Sequence, residues 1–351
     1  MRIMRASQSL ALSYLRNMKA AQDNAQADHG SYLFAKAMEW LGRDEQQDDE
    51  WSGSAVRFSL GIGLDTGTNP TRRENEDYAF ADRMLRSLPG GVQETVGIFV
   101  VADGVGGSIN GQEASRLAVH AFVDAVYPRL IEEPLHGAAV KDLLVEGVRK
   151  ANEAVYERNQ DVLLLGAIMG TTLVSVVSVG TEAYVTGVGD SRVYLYREGK
   201  LKQLTQDHSL VAAKVRLGEI TPEQVFTHPQ RNVIYRALGE ASVEIDEPIS
   251  LHLQNGDVLL LCSDGLWEMV RDPQGGDIAK ILADEHLSAE EMAEQLVQLA
   301  LSGGGPNNIG GGHDNVGIVV ARTEVDIAEC ETLIFSPSQV ASRTLVNALL
   351  M

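Results

Sequence analysis

The chain has 351 residues, enough for one large domain or two ordinary ones, and its 44% hydrophobic content can bury a sizeable core. Its 29 basic residues stand against 49 acidic ones, a net charge of −20 that repels DNA, RNA and anionic membrane surfaces. The two cysteines, Cys262 and Cys330, have no CxxC or zinc-binding spacing, and no apolar run reads as a membrane span or secretory signal; a cytoplasmic protein without a nucleic-acid partner is expected.

Residues 1–22 carry Arg2, Arg5, Arg16 and Lys19 beside Leu10, Leu12, Leu15 and Met18, the pattern of a basic amphipathic helix that packs on its own domain, frays, or touches a membrane. A polar, acidic run over 42–53 reads as a linker. The expected organisation is an N-terminal extension and acidic linker over 1–55, one domain over 56–323, and a C-terminal tail over 324–351, with no internal repeat.

Within the domain, Phe58–Leu64 and Val96–Ala102 read as buried strands, and Glu113–Tyr127 as a helix stopped by Pro128. Lys141–Asn159 reads as a second helix. Thr171–Val179, Ala183–Gly187 and Arg192–Tyr196 follow as strands broken by glycine turns, and consecutive strands without intervening helices imply antiparallel pairing. Val211–Leu217 is a short helix, Asp257–Cys262 a buried strand, Ala289–Leu301 a helix and Val316–Ala321 a last strand. Strands grouped with strands and helices in pairs give an α+β layered class rather than a doubly wound one.

Acidic residues beside glycine or asparagine recur at the ends of these segments: Glu76-Asp77, Asp103-Gly104, Gly189-Asp190, Asp264-Gly265 and Asp314-Asn315. Any one of these pairs is an ordinary turn or cap. Together they set several carboxylates at the rims of packed strands, where like charges need a neutralising cation. Oxygen donors without histidine or cysteine select Mg²⁺ or Mn²⁺ over zinc.

These segments resemble the signatures of the PPM family, the protein phosphatase 2C-like metal-dependent Ser/Thr phosphatases, in family order. Arg72-x-x-Asn75-Glu76-Asp77 is similar to the first, Val101-Ala102-Asp103-Gly104-Val105-Gly106-Gly107 to the second and Gly170-Thr171-Thr172 to the third; Gly189-Asp190-Ser191-Arg192, Leu261-Cys262-Ser263-Asp264-Gly265 and Asp314-Asn315 supply the rest. The resemblance spans about Arg57–Arg322 and implies a four-layer α-β-β-α sandwich with two central antiparallel sheets. It further implies that Asp103 bridges two metals, that Gly104 offers its carbonyl to one, and that Asp264 and Asp314 complete the other. Glu76 and Asp77 would act through water, Asp190 would serve a third, weaker metal site, and Arg72 would grip the substrate phosphate, a task that suits its planar fork.

The implied reaction is hydrolysis of phosphoserine and phosphothreonine in proteins by a hydroxide bridging two Mn²⁺ or Mg²⁺ ions, opposing a Ser/Thr kinase; Arg72, Asp103 and Asp264 form its catalytic set. Phosphorylated proteins are then the partners, and a monomer is expected. Val105 stands where many eukaryotic members carry a histidine general acid, so the chain resembles the bacterial branch. Its leaving group would take a proton from metal-bound water or from His228, whose His-Pro setting also reads as a structural turn. Asp207–Gly239 resembles the family's flap, in which Arg231 and Arg236 either meet substrate charge or lie solvated. Two competing readings are a catalytically silent phosphoprotein-binding scaffold of the same fold, and a sigma-factor-pathway phosphatase gated by residues 1–55.

Overall fold

A computed structural model of the chain describes residues 56–325, apart from 73, 89–92, 106–109, 163–168, 272–275 and 304–310. The N-terminal extension, Gly106 and Gly107, Cys330 and the tail beyond 325 lie outside the described residues.

Two antiparallel sheets dominate. The first pairs β1 (Val56–Asp65), β11 (Val316–Val325), β10 (Val258–Cys262), β7 (Arg192–Arg197) and β8 (Lys200–Gln203) in that order. The second pairs β2 (Asp77–Ser87), β3 (Gln93–Val105), β5 (Leu173–Val179), β6 (Glu182–Val188) and β9 (Ile249–His252), with the two-residue β4 (Gly170–Thr171) on the end of β3.

The period-two alternation of β3 explains the layering. Phe99 and Val101 point inward to Phe58, Val176, Val193, Leu259, Leu261 and Val319, the dry seam between the sheets. Ile98, Val100 and Ala102 point outward to Phe122, Val126, Leu144 and Val148 of two long helices, α1 (Asn110–Glu132) and α2 (Ala138–Val162). With both faces covered, the strand is an unbroken apolar run rather than an alternating one. On the other sheet, Leu260, Cys262, Ile318 and Val320 pack outward on α4 (Asp264–Val270), α5 (Gly276–Leu282) and α6 (Ala289–Ser302). The result is the expected α-β-β-α order. α6 starts at a capping box between Ser288 and Glu291 and lies so close to β1 that a Cβ on Gly61 would stand 2.0 Å from the Ala289 carbonyl oxygen.

Several elements differ from the pattern read in the sequence. α1 does not stop before Pro128 but runs on to Glu132, burying Leu130. Its end is held from outside, because the buried Arg86 guanidinium donates to the carbonyls of Leu130 (2.6 Å), Glu133 (2.6 Å) and Leu135 (3.3 Å) while pairing with Glu94. Those contacts supply partners for terminal carbonyls that the helix itself cannot satisfy. The short helix read over Val211–Leu217 is α3 (Leu210–Arg216); β2, β8, β9, α4 and α5 are additional, and Cys262 is a buried core thiol.

Candidate active site

The acidic residues converge at one end of the sandwich. Asp77 opens β2 and lies directly across from Asp103 near the end of β3. Asp190 sits in the turn from β6 to β7, Asp264 is the first residue of α4 after β10, and Asp314 directly precedes Asn315 and β11. Asp77 and Asp190 are buried; Glu76, Asp103, Asp264 and Asp314 are half-buried.

Each backbone is fixed by a neighbour from a distant segment. The Asp103 carbonyl accepts the Thr172 amide and the Thr171 hydroxyl, both at 2.8 Å, and its own amide donates to Thr172 Oγ1 at 3.0 Å. Thr172 Oγ1 also lies 2.7 Å from Ser191 Oγ, which ties this clamp to the Asp190 turn. Asn315 Oδ1 accepts the Glu76 amide at 3.0 Å and Arg72 Nη1 at 3.2 Å; its Nδ2 donates to Thr66 and Glu74 carbonyls. Ser263 Oγ donates to Asp77 Oδ2 at 2.6 Å.

The glycines have a packing reason. A Cβ on Gly265 would stand 1.7 Å from the Asn315 carbonyl oxygen, and one on Gly104 2.3 Å from that of Gly111 at the start of α1. Asp264-Gly265 is therefore a helix start pressed against the strand that follows Asp314, not a turn dipeptide.

Electrostatically, the cluster is strained. Burial pushes the Asp77 carboxyl up to about 8, with Asp264 and Asp314 adding to the effect and the Ser263 bond opposing it. Burial likewise drives Asp103 and Asp264 well above the usual carboxylate range, each reinforced by the other acids of the group. Asp190 is raised to about 7 by burial and by Asp207, while Asp314 is raised by burial against the opposing effect of Arg72. Among the described residues no three acidic, histidine or cysteine side chains stand arranged around a common point for a cation. The carboxyls face one another instead, and Arg72 lies on Asp314 at 2.5 Å and 3.7 Å from Glu76.

A second layer was not legible as such. Trp267 Nε1–H donates to the Asp190 carbonyl at 3.1 Å; above its ring, 3.6 Å from the centroid, lies the Arg192 guanidinium. Arg192 forks onto Asp207 through Nε and Nη2 and donates to Tyr194. The segment from Asp207 to Gly239 is pinned at several points. Buried His208 accepts the Gly189 amide at Nδ1 and faces Asp246 through Nε2, Arg231 pairs with buried Glu268 at 2.5 Å, and Arg236 pairs with Glu244 and Asp246. Neither arginine is a solvated free cation. His228 Nδ1 accepts the Gln230 amide, the bond of a local turn. Val105, at the end of β3, is exposed.

This arrangement of two antiparallel sheets, flanking helix pairs and a carboxylate cluster at one end defines a class of metal-dependent phosphatases. A family profile described as Protein phosphatase 2C matches residues 87–300. The chain is 38% identical over 213 residues to the "Serine/threonine phosphatase stp" of Listeria welshimeri, covering 60% of this chain and 81% of that protein. It superposes on the crystal structure of the Mycobacterium tuberculosis serine/threonine phosphatase PstP/Ppp with a TM-score of 0.61 at 33% identity, covering 77% of this chain and 99% of that one. The catalytic domain of PstP in complex with two manganese ions matches with a TM-score of 0.59 at 31% identity, over 77% and 99% of the two chains. The chain belongs to the protein phosphatase 2C family and is a serine/threonine protein phosphatase of the bacterial type.

Proposed function

We propose that the chain hydrolyses phosphoserine and phosphothreonine in proteins with two bound divalent cations, Mn²⁺ or Mg²⁺, and so reverses the work of a Ser/Thr kinase. The observation that carries this reading is the convergence of Asp77, Asp103, Asp264 and Asp314 at one end of the sandwich, closely set carboxyls whose like charges are unfavourable until cations compensate them. The donors fit the group: they are all oxygens, and the cluster lacks the soft ligands that would favour zinc. When bound, the cations supply an activated water and screen the phosphoryl charge.

Asp103 with the Gly104 carbonyl, Asp264 and Asp314 are the donors that would hold the ions directly. Glu76 and Asp77 would support the ions through water, and Ser263 holds the Asp77 carboxylate in place for that task. Asp190, whose carbonyl accepts from Trp267, would serve a third and weaker site. Arg72 orients the substrate phosphate, and Asn315 braces its guanidinium. The Thr171–Thr172 clamp keeps Asp103 from moving as charge builds on the phosphoryl oxygens. The Gln230 amide bond to His228 Nδ1 favours the turn role over that of a general acid. The protein is proposed to act as a cytoplasmic monomer on phosphorylated proteins.

The test is phosphate release from a phosphothreonine peptide and an aryl phosphate with Mn²⁺, Mg²⁺ or chelator, for the native chain and for Asp103→Asn and Asp264→Asn. Metal-dependent release that both variants abolish is expected. Activity that survives chelation, or survives in both variants, would refute the reading.

A further inference from the structure

A cleft of about 440 Å³ opens beside the acidic cluster, with Asp77 in its wall. That size lies within the ~300–1,000 Å³ range of ligand pockets. Leu64 and Asp65 at the end of β1, Asn75 and Tyr78 around the start of β2, and Gln112 and Arg116 on the first turns of α1 complete much of the lining.

Its chemistry is unlike the rest of the site. Arg116 has no ion pair or hydrogen bond among the described residues, in a chain with an excess of twenty negative charges. Nearly all the other arginines around the site are engaged: Arg72 on Asp314, Arg192 on Asp207, Arg231 on Glu268 and Arg236 on Asp246. Burial holds the His120 imidazole low, and the nearby Arg116 charge adds to that effect. Leu64 is 43% exposed and offers an apolar wall. Of the other groups, Asp65 already accepts the Gly67 amide, Asn75 uses its Oδ1 on the Asp77 amide, and Gln112 donates to the Asn75 carbonyl.

We propose that this cleft receives the polypeptide flanking the phosphoresidue, and that Arg116 selects an anionic group there, a carboxylate side chain or a second phosphate close in sequence. The inference rests on the proposed phosphatase reading, because it needs the phosphate to lie at the Asp77–Asp103 end of the sandwich. A chain bound there must leave the acidic cluster across a neighbouring surface, and the cleft that shares Asp77 is adjacent. An unpartnered guanidinium attracts an anion without first breaking an ion pair, whereas the paired arginines would have to exchange one partner for another. Asp65, elsewhere in the lining, disfavours an anion at its own side, which limits selection to the Arg116 wall.

The test uses the full chain and phosphothreonine peptides that differ only in flanking residues: glutamate, glutamine, lysine or a second phosphothreonine. The quantity read is the ratio of kcat/KM for acid-flanked over lysine-flanked peptide, with a parallel ratio of Kd from fluorescence anisotropy. The native chain is expected to favour the anion-flanked peptide by about three- to tenfold, mainly through KM. Arg116→Ala should bring the ratio to about one, Arg116→Glu should invert it, and Arg116→Lys should restore most of it, each with a melting temperature close to native. The glutamate and second-phosphate peptides separate the two anion sources. A native ratio of one in both measurements, or a ratio that Arg116→Glu leaves unchanged, overturns the proposal. Absence of turnover on every substrate, aryl phosphate included, counts against the phosphatase reading instead, and the anisotropy ratio still decides the role of Arg116.

Discussion

The Ser263 hydroxyl donates to Asp77 Oδ2 at 2.6 Å and accepts the Gly317 amide at 3.0 Å, so one small side chain ties the start of β2 to β11 of the opposite sheet. All three groups are buried, and the bond is among the few influences that favour the charged form of Asp77. Ser263→Ala should therefore destabilise the fold by about 1–3 kcal/mol, the range for stranding a buried partner, and should weaken Mn²⁺ binding. Denaturant melts and a Mn²⁺ titration check both effects; Ser263→Thr should recover part of each.

Asp103→Asn and Asp264→Asn should act in opposite directions on activity and on stability. Each should lower kcat/KM about a hundredfold or more, since each removes a carboxylate assigned to the cations. Each should also raise the melting temperature of the chelator-treated protein, because the buried like charge it removes is unfavourable to its neighbours. Differential scanning calorimetry in chelator, set beside turnover in Mn²⁺, separates the two effects.

The pH dependence of the chelator-treated protein follows from the raised carboxyls. Asp77 and Asp190 have folded values of about 8 and about 7, above the unfolded value of 3.8. The folded state therefore binds more protons across that interval, and stability falls as pH rises from about 4 to about 8. Mn²⁺ competes with those protons, so the gain in melting temperature on adding it should be small near pH 5 and larger near pH 8. A gain independent of pH would contradict this.

His120 has the opposite sign. Burial, reinforced by the Arg116 charge, pushes its imidazole down to about 4 from 6.5, and its Nε2 lies 3.2 Å from the Tyr78 hydroxyl. Below pH 6.5 the unfolded chain takes up a proton that the folded chain refuses, so stability is lost as pH falls from 6.5 to 4, by about 3 kcal/mol. The difference in unfolding free energy between native and His120→Asn should shrink or reverse across that window, as read by urea melts at pH 7 and pH 5.

Arg192 should be among the least replaceable residues behind the site. It is a half-buried cation held by Asp207, Tyr194 and the face of Trp267, and truncation to alanine should cost about 3–5 kcal/mol by leaving buried Asp207 without its ion-pair partner, with only Gln203 still donating to it. Arg192→Lys keeps the charge and loses the fork and the stack, and should recover only part of that stability. Urea denaturation of both variants measures it.

The sequence made the strongly apolar elements readable. β3 and β10 are covered on both faces, so Val96–Ala102 and Val258–Cys262 stand out as runs whatever their partners. β2 did not, because Asp82, Arg83 and Arg86 interrupt it; Arg86 is tolerated in a buried place only through Glu94 and three carbonyls at the end of α1. The same remote contacts carry α1 past Pro128. α4, with seven residues, is too short for periodicity, and its first two, Asp264-Gly265, look like a turn until the Asn315 backbone is seen against Gly265. In the site, the recurring aspartates were visible one by one. The groups that hold them, Ser263, Asn315, Trp267 and the two threonines, were visible only as neighbours in a motif, because each acts on a segment far away in the chain.

The two sheets contribute opposing parts of the acidic cluster: Asp77 and Asp103 belong to the six-stranded sheet, Asp264 and Asp314 border strands of the other, and Asp190 lies where the chain crosses between them. The sandwich is thus glued along its apolar seam and pushed apart at one rim. Any cation that settles among these acids acts as a clasp on that rim, so its binding energy also becomes cohesion between the halves. Amide hydrogen exchange should then be fastest at this end when the clasp is removed, and a phosphatase that loses its metal should begin to open from its own active site.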